Sequence, residues 1–229
     1  MEEKKGSLYF EAATMPAHGA WAQKRRLAAA LRTIIDRLVL SDAPEEQLSR
    51  AADAAERYAA TLEEHVQRKN MWGFAETANA GDVGAFFDQS PMIGLSNPLA
   101  PPLELHAREG RIVGRGVFGA AYEGPPGHVH GGFVAAGFDE VLGFAQSLSG
   151  NPGMTGTLTV RYRRPTPLHT ELRFDAGVDR VEGRKIFTSG RLLAGETVTA
   201  EAEGIFISVD PEKFLAMMES GEKQRRGLE

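Results

Sequence analysis

The chain contains no cysteine. Disulfide scaffolds, thiolate zinc centres and cysteine nucleophiles are thereby excluded. It has no run approaching the ~20 apolar residues of a membrane-spanning helix, and no membrane span is expected. An excess of basic charge is missing as well: 26 Lys+Arg stand against 31 Asp+Glu, a net charge of -5. Nucleic acids and anionic membranes recruit proteins through a cationic field, so neither is expected as a partner. The opening MEEKKGSLYF carries charges where a signal peptide would carry an apolar core, and a cytoplasmic protein is the expectation. The chain also lacks a G-x-S-x-G elbow, a Walker A loop and an H-E-x-x-H pair. Those hydrolase and nucleotide-binding classes therefore have no support in the sequence.

What remains is 229 residues, 42% hydrophobic and 25% charged. That is an ordinary globular composition and enough chain for one buried domain with an appendage. The N-terminal part reads as helix. Leu27, Leu31, Ile34, Ile35 and Leu38 recur at helical period. After a break at Ser41–Pro44, Asp42 and Glu45 resemble a capping box. Leu48, Ala52, Ala55, Tyr58, Leu62 and Val66 then line a second apolar face. A helical hairpin is expected, with its apolar faces buried on the rest of the protein. Residues 70–102 lose the period and are punctuated by glycine and proline, as in a connecting segment. Residues 1–85 are thus expected to form a helical extension, 86–211 the main domain and 212–229 a polar tail.

Strand texture follows. Leu103–Arg108 and Arg111–Phe118 flank a Glu109-Gly110 turn, a hairpin signal. Gly131–Ser149 carries Phe133, Val134, Phe138, Val141, Leu142, Phe144 and Leu148 on more than one face, so this helix should be buried nearly all round. Phe133, Phe138 and Phe144, with Phe86 and Phe87, are candidates for an apolar tunnel or for core filling. In Thr155–Arg163, Leu158, Val160 and Tyr162 alternate with Thr157, Thr159 and Arg161. Glu171–Val181, Lys185–Leu193 and Thr197–Val209 complete the strands. One apolar helix bracketed by antiparallel strands calls for a curved α+β sheet wrapped around it.

Gly114-Arg-Gly116-Val-Phe-Gly119 matches G-x-G-x-x-G but opens no helix, so it is not expected to bind a dinucleotide. His128 and His130 lack a third ligand at a recognisable spacing, and no metal is expected. The informative constellation is His130-Gly131-Gly132 followed by Asp139. The glycines open the apolar helix, where free N–H groups sit at the positive end of the macrodipole. Glycine lets a ligand approach that backbone closely, which suits a carbonyl oxygen acquiring negative charge. Asp139 lies in the same helix, among apolar residues, where a carboxylate is costly unless paired or used. At 1.5 Å per residue, Gly131 and Asp139 are about 12 Å apart. Both can act on one carbonyl only if two such helices run antiparallel across a two-fold axis. A catalytic role therefore implies a dimer with composite sites.

His130-Gly-Gly-Phe-Val-Ala-Ala-Gly-Phe-Asp139, Thr155-Gly-Thr-Leu-Thr-Val-Arg-Tyr-Arg-Arg-Pro165, Glu182-Gly-Arg-Lys185 and Ala200-Glu-Ala-Glu-Gly-Ile-Phe206 together resemble the PaaI-type hotdog-fold acyl-CoA thioesterases, over roughly residues 95–210. The resemblance implies an antiparallel sheet wrapped around one long central helix, working as a dimer or a dimer of dimers on acyl-CoA or related thioesters. It implies that Asp139 is general base or nucleophile, that the Gly131 N–H polarises the carbonyl beside Gly132, and that His130 shapes the turn. Thr155, or alternatively Thr157, supplies a hydroxyl near Asp139. Where some relatives carry an amide side chain ahead of the glycine pair, this chain has Glu123-Gly124. Arg161, Arg163, Arg164, Arg184 and Lys185 are candidates for the CoA phosphates, since guanidinium groups suit bidentate phosphate contacts. No cofactor is implied beyond the CoA of the substrate. The rival expectation is a non-catalytic acyl-CoA or small-ligand binding protein of the same fold.

Overall fold

The computed structural model describes residues 16–65, 88–150 and 153–208. Two helices, α1 (Gly19–Leu38) and α2 (Glu45–Glu63), precede strands β1 (Glu104–Arg108) and β2 (Arg111–Val117). The central helix α3 (Gly131–Ser147) follows, then β3 (Gly153–Tyr162), β4 (Glu171–Glu182), β5 (Lys185–Ala194) and β6 (Thr197–Ser208). The six strands form one antiparallel sheet in the order β1-β2-β4-β5-β6-β3. Chain-adjacent strands meet at tight turns. Glu109 and Gly110 both have positive φ (49° and 73°), the pairing that a two-residue hairpin with matching twist demands. Between β4 and β5 only the first turn residue, Gly183, has positive φ (58°), as the alternative two-residue hairpin turn requires.

Helix α3 lies on the concave face, where Val134, Phe138, Val141 and Leu142 are at most 1% exposed. They pack with Leu172, Phe174, Ile186, Leu192 and Phe206 from the sheet. Phe138 meets Phe174 edge-on at 5.3 Å, a geometry aromatic pairs favour. Phe138 and Phe144 therefore fill the core; Phe86, Phe87 and Val66 lie outside the described residues. This is the expected hotdog arrangement. Gly114 and Gly116 sit inside β2, and a Cβ on Gly114 would lie 2.9 Å from Leu105. Those glycines serve packing.

The N-terminal helices are present, but their docking differs from expectation. Helix α1 lays down the stripe Trp21, Arg25, Ala28, Arg32 and Asp36, also at helical period. Ala28 is 2% exposed, whereas Ile34, Ile35 and Leu38 are 40–58% exposed. The cause is Asp88, whose buried carboxylate needs donors. It accepts from Trp21 Nε1 at 2.5 Å, from Arg25 at 2.6–2.8 Å and from the Ser96 hydroxyl. Arg32 donates to the carbonyls of Leu95 and Asn97, and the Ala121 N–H donates to Asp36. Helix α2 buries no residue within the described parts, leaving Leu48, Tyr58 and Leu62 41–43% exposed. Its N-cap is Pro44, and Asp42 makes no cap bond.

Candidate active site

Strand β3 is the feature that gathers the site. It forms one edge of the sheet and runs beside α3. Its register against β6 shifts between Thr155 and Thr157: Thr155 faces Phe206 and Thr157 faces Ile205, which leaves Gly156 as an extra residue, a β-bulge. Side chains opposite each other across two strands share a face. Thr155 therefore stands on the helix side with Phe206, as do Leu158, Val160 and Tyr162, while Thr157 stands on the other side. Strict alternation would have put Thr155 with Thr157. A Cβ on Gly156 would meet Ile207 at 3.1 Å and the Ile205 carbonyl at 3.3 Å, so the bulge sits tightly against β6.

At this end of β3 the Thr155 hydroxyl donates to Asp139 Oδ1 at 2.9 Å. Asp139 is exposed on its helix, while its neighbour Glu140 turns inward. The two carboxylates thus part company instead of facing solvent together. Ser90 donates to Glu140 Oε1 at 3.0 Å. Burial pushes the Glu140 pKa up to about 7 against the lowering effect of Ser90, and the charge of Asp139 adds to the rise.

At the other end stands the start of α3. His130 is its N-cap, and its Nδ1 accepts from the Gly132 N–H at 3.0 Å. Nδ1 therefore carries no proton and Nε2 does. The Phe133 and Val134 N–H groups go to the His130 carbonyl. Among the described residues this leaves the Gly131 N–H with no acceptor, pointing out of the first turn at the positive end of the helix. The Tyr162 hydroxyl donates to the Gly131 carbonyl at 2.8 Å. The preceding loop presses on His130: a Cβ on Gly124 would lie 2.7 Å from His130 Cα. Glu123, in the place where an amide was sought, is committed to the Gly127 N–H at 2.6 Å.

The structure thus brings together Asp139 with Thr155, and Gly131 with His130 and Gly132, as two clusters at opposite ends of β3. The basic candidates scatter. Arg161 pairs with Glu203 at 2.6 Å and Arg163 with Glu201 at 2.7 Å. The Arg161 pKa is raised by its hydrogen bond and by the charge of Glu203. Arg164 reaches the Val198 carbonyl and Arg184 the Ser208 carbonyl. Lys185 opens β5, exposed. Sequence reasoning gave no role to Tyr162, which it set on one face of β3 with Leu158 and Val160, nor to Glu140. Only the period of β3 hinted at the first.

The model of the Thioesterase superfamily matches residues 126–201. A crystal structure described as a thioesterase superfamily protein is 34% identical and aligns with a TM-score of 0.71, covering 84% of this chain and 97% of that one. The chain belongs to the thioesterase superfamily. As a superfamily member it is also similar to two curated relatives. "Acyl-coenzyme A thioesterase THEM4" of Bos taurus is 39% identical over 97 residues, covering 42% of this chain and 40% of that protein. "Acyl-coenzyme A thioesterase THEM5" of Homo sapiens is 31% identical over 97 residues, covering 42% and 39%. The chain spans about 40% of the length of these two relatives.

Proposed function

We propose that this superfamily member hydrolyses acyl-CoA thioesters, with Asp139 as its base or nucleophile. The hydrogen bond from Thr155 to Asp139 Oδ1 carries the reading. It orients the carboxylate through Oδ1, which leaves Oδ2 to face the reacting carbonyl. From there Asp139 either takes a proton from a water that attacks the thioester or attacks the carbonyl itself. In both cases the carbonyl oxygen becomes an oxyanion, the Gly131 N–H is the donor aimed at it, and the CoA thiolate leaves. The curated relatives named acyl-coenzyme A thioesterases support the substrate class. On this reading residues 86–211 are the catalytic unit, with 1–85 an extension and 212–229 a tail.

The two clusters are too far apart to serve one carbonyl, so the working unit is a dimer. Among the described residues strand β3 has a free edge, and exposed edges invite pairing. Antiparallel pairing of two copies of β3 about a two-fold axis near Leu158 sets Thr155 of one protomer beside Tyr162 of its partner. Asp139 then faces the partner's Gly131. The same operation brings Arg184 and Lys185, at the Thr155 end, near the partner's Arg164. These three side chains hold no carboxylate among the described residues, unlike Arg161 and Arg163. They are the better candidates for the CoA phosphates.

The test is thiol release from acyl-CoAs ranging from short aliphatic to long-chain and aryl, for wild type and Asp139→Asn. Turnover by the wild type that falls at least a hundredfold in the variant, with CoA-ester binding retained, is the expected result. No turnover by the wild type on any ester, with CoA esters still raising its Tm, would mean a binding protein instead.

A further inference from the structure

We infer that Tyr162 is a positioning residue for the Gly131 N–H, acting through a clamp that it forms with His130. This rests on the thioesterase reading of the site. The observation is that two side chains grip a single peptide unit. Tyr162 donates to the carbonyl of Gly131 at 2.8 Å, and His130 Nδ1 accepts from the N–H of Gly132 at 3.0 Å. Those two groups belong to the same amide plane. The plane joins two consecutive glycines, the residues with the greatest backbone freedom, in the first helical turn, where fraying is normal. A donor that must meet a developing oxyanion needs a fixed direction, because reorganisation at the moment of reaction forfeits the stabilisation. The diglycine provides the close approach but no rigidity of its own. Tyr162 and His130 supply it from outside the helix.

The tyrosine ring is not there as core. Tyr162 is 55% exposed, and it lies against Gly131, where a Cβ would lie 3.3 Å from both Cζ and the hydroxyl oxygen. Tyr162 thus also limits what can stand at position 131. Along β3, Thr155 and Tyr162 act in parallel: one hydroxyl orients the carboxylate, and the other holds the peptide plane that follows Gly131 and so, through the Gly131 Cα, restrains the direction of the donor N–H.

The experiment is Tyr162→Phe in the full chain, which keeps the ring and removes the hydroxyl. Three readouts are taken: steady-state kinetics, oligomeric state with Tm, and amide hydrogen exchange of Gly132 by NMR. The expected result is a kcat lower by about ten- to a hundredfold with KM within about twofold, since an interaction used only in the transition state leaves ground-state binding intact. Oligomeric state and Tm should hold, and exchange at Gly132, whose N–H is the bonded one, should speed up. Unchanged exchange, or a loss of activity that tracks a raised KM or a dissociated dimer, overturns the clamp. If the wild type turns over no thioester, the thioesterase reading fails by itself. Exchange at Gly132 then decides the clamp alone, with faster exchange supporting it and unchanged exchange overturning it.

Discussion

Ser90 and Glu140 are joined by a hydrogen bond of 3.0 Å that ties the segment before β1 to the middle of α3. The Ser90 oxygen also accepts from the N–H groups of Met92 and Ile93, so it cannot reorient freely. Glu140 is thus a turned-in carboxyl with one fixed partner, next to the carboxylate proposed to react.

Its burial makes the protein less stable as the solution becomes more alkaline. A carboxyl whose folded pKa lies above its unfolded value binds its proton more tightly in the folded chain. Its contribution is therefore fully present below about pH 4.5 and is lost as the pH rises through about 7. The loss is on the order of 3 kcal/mol across that window. Denaturant midpoints between pH 5 and 8 should fall for the wild type and stay flatter for Glu140→Gln, which keeps an acceptor for Ser90 but cannot ionise. Parallel profiles for the two proteins would contradict the assignment.

Thr155→Val should lower thiol release by about tenfold, since it deletes a charge-assisted hydrogen bond to the reacting carboxylate. Thr157→Val should leave the rate within about twofold, because its side chain stands on the far face of β3. Equal losses would mean that the bulge at Gly156 does not decide which hydroxyl serves Asp139.

A composite site can be tested by complementation. Gly131→Pro removes the N–H at the first helical position, where the backbone accepts proline, and His130 already has the extended backbone (φ -60°, ψ 133°) that a residue before proline adopts; the exposed Tyr162 ring, 3.3 Å from the added Cβ, must give way slightly. Gly131→Pro and Asp139→Asn should each be inactive as homodimers. Unfolded together in equal amounts and refolded, half the dimers are mixed and each mixed dimer has one intact site. Activity should return to about a quarter of wild type. No recovery would place both groups in one protomer's site.

The latch on α1 should be costly to break. Asp88 is 3% exposed and the Arg25 side chain 15%. Asp88→Ala removes the carboxylate that neutralises a largely buried guanidinium, and should destabilise by about 3–5 kcal/mol. Loss of its indole partner should also shift the emission of Trp21 to the red. Unchanged amide exchange along residues 19–38 would show that this pair does not hold α1 in place.

The strands, the buried helix and the pair Gly131 and Asp139 were legible because each leaves a period or a spacing in the sequence. Leu158, Val160 and Tyr162 alternate as a half-buried strand must, and α3 is apolar around most of its circumference. The choice between Thr155 and Thr157 was not legible, because a bulge shifts the alternation by one residue and Gly156 gives no warning of it. Nor was the docking face of α1. The stripe of Leu27, Ile34 and Leu38 is the louder signal, yet the face that docks carries Arg25, Arg32 and Asp36. Its partner, Asp88, lies 63 residues from Arg25, and nothing local announces so distant a pairing. Glu140 escaped notice for a simpler reason: adjacent helical residues point about 100° apart, enough to put one carboxylate outside and the next within.

That polar docking face has a calorimetric consequence. Heat capacity and denaturant sensitivity both follow the apolar surface exposed on unfolding. When α1 lifts away, it uncovers a carboxylate, guanidinium groups and backbone carbonyls beside a modest apolar area from Ala28 and the half-buried Trp21 and Leu31. Its detachment should therefore leave little trace in ΔCp or in the m-value, and a thermal melt will report the packed sheet and α3. Amide exchange along residues 19–38, and not calorimetry, is the measurement that sees the helix come and go.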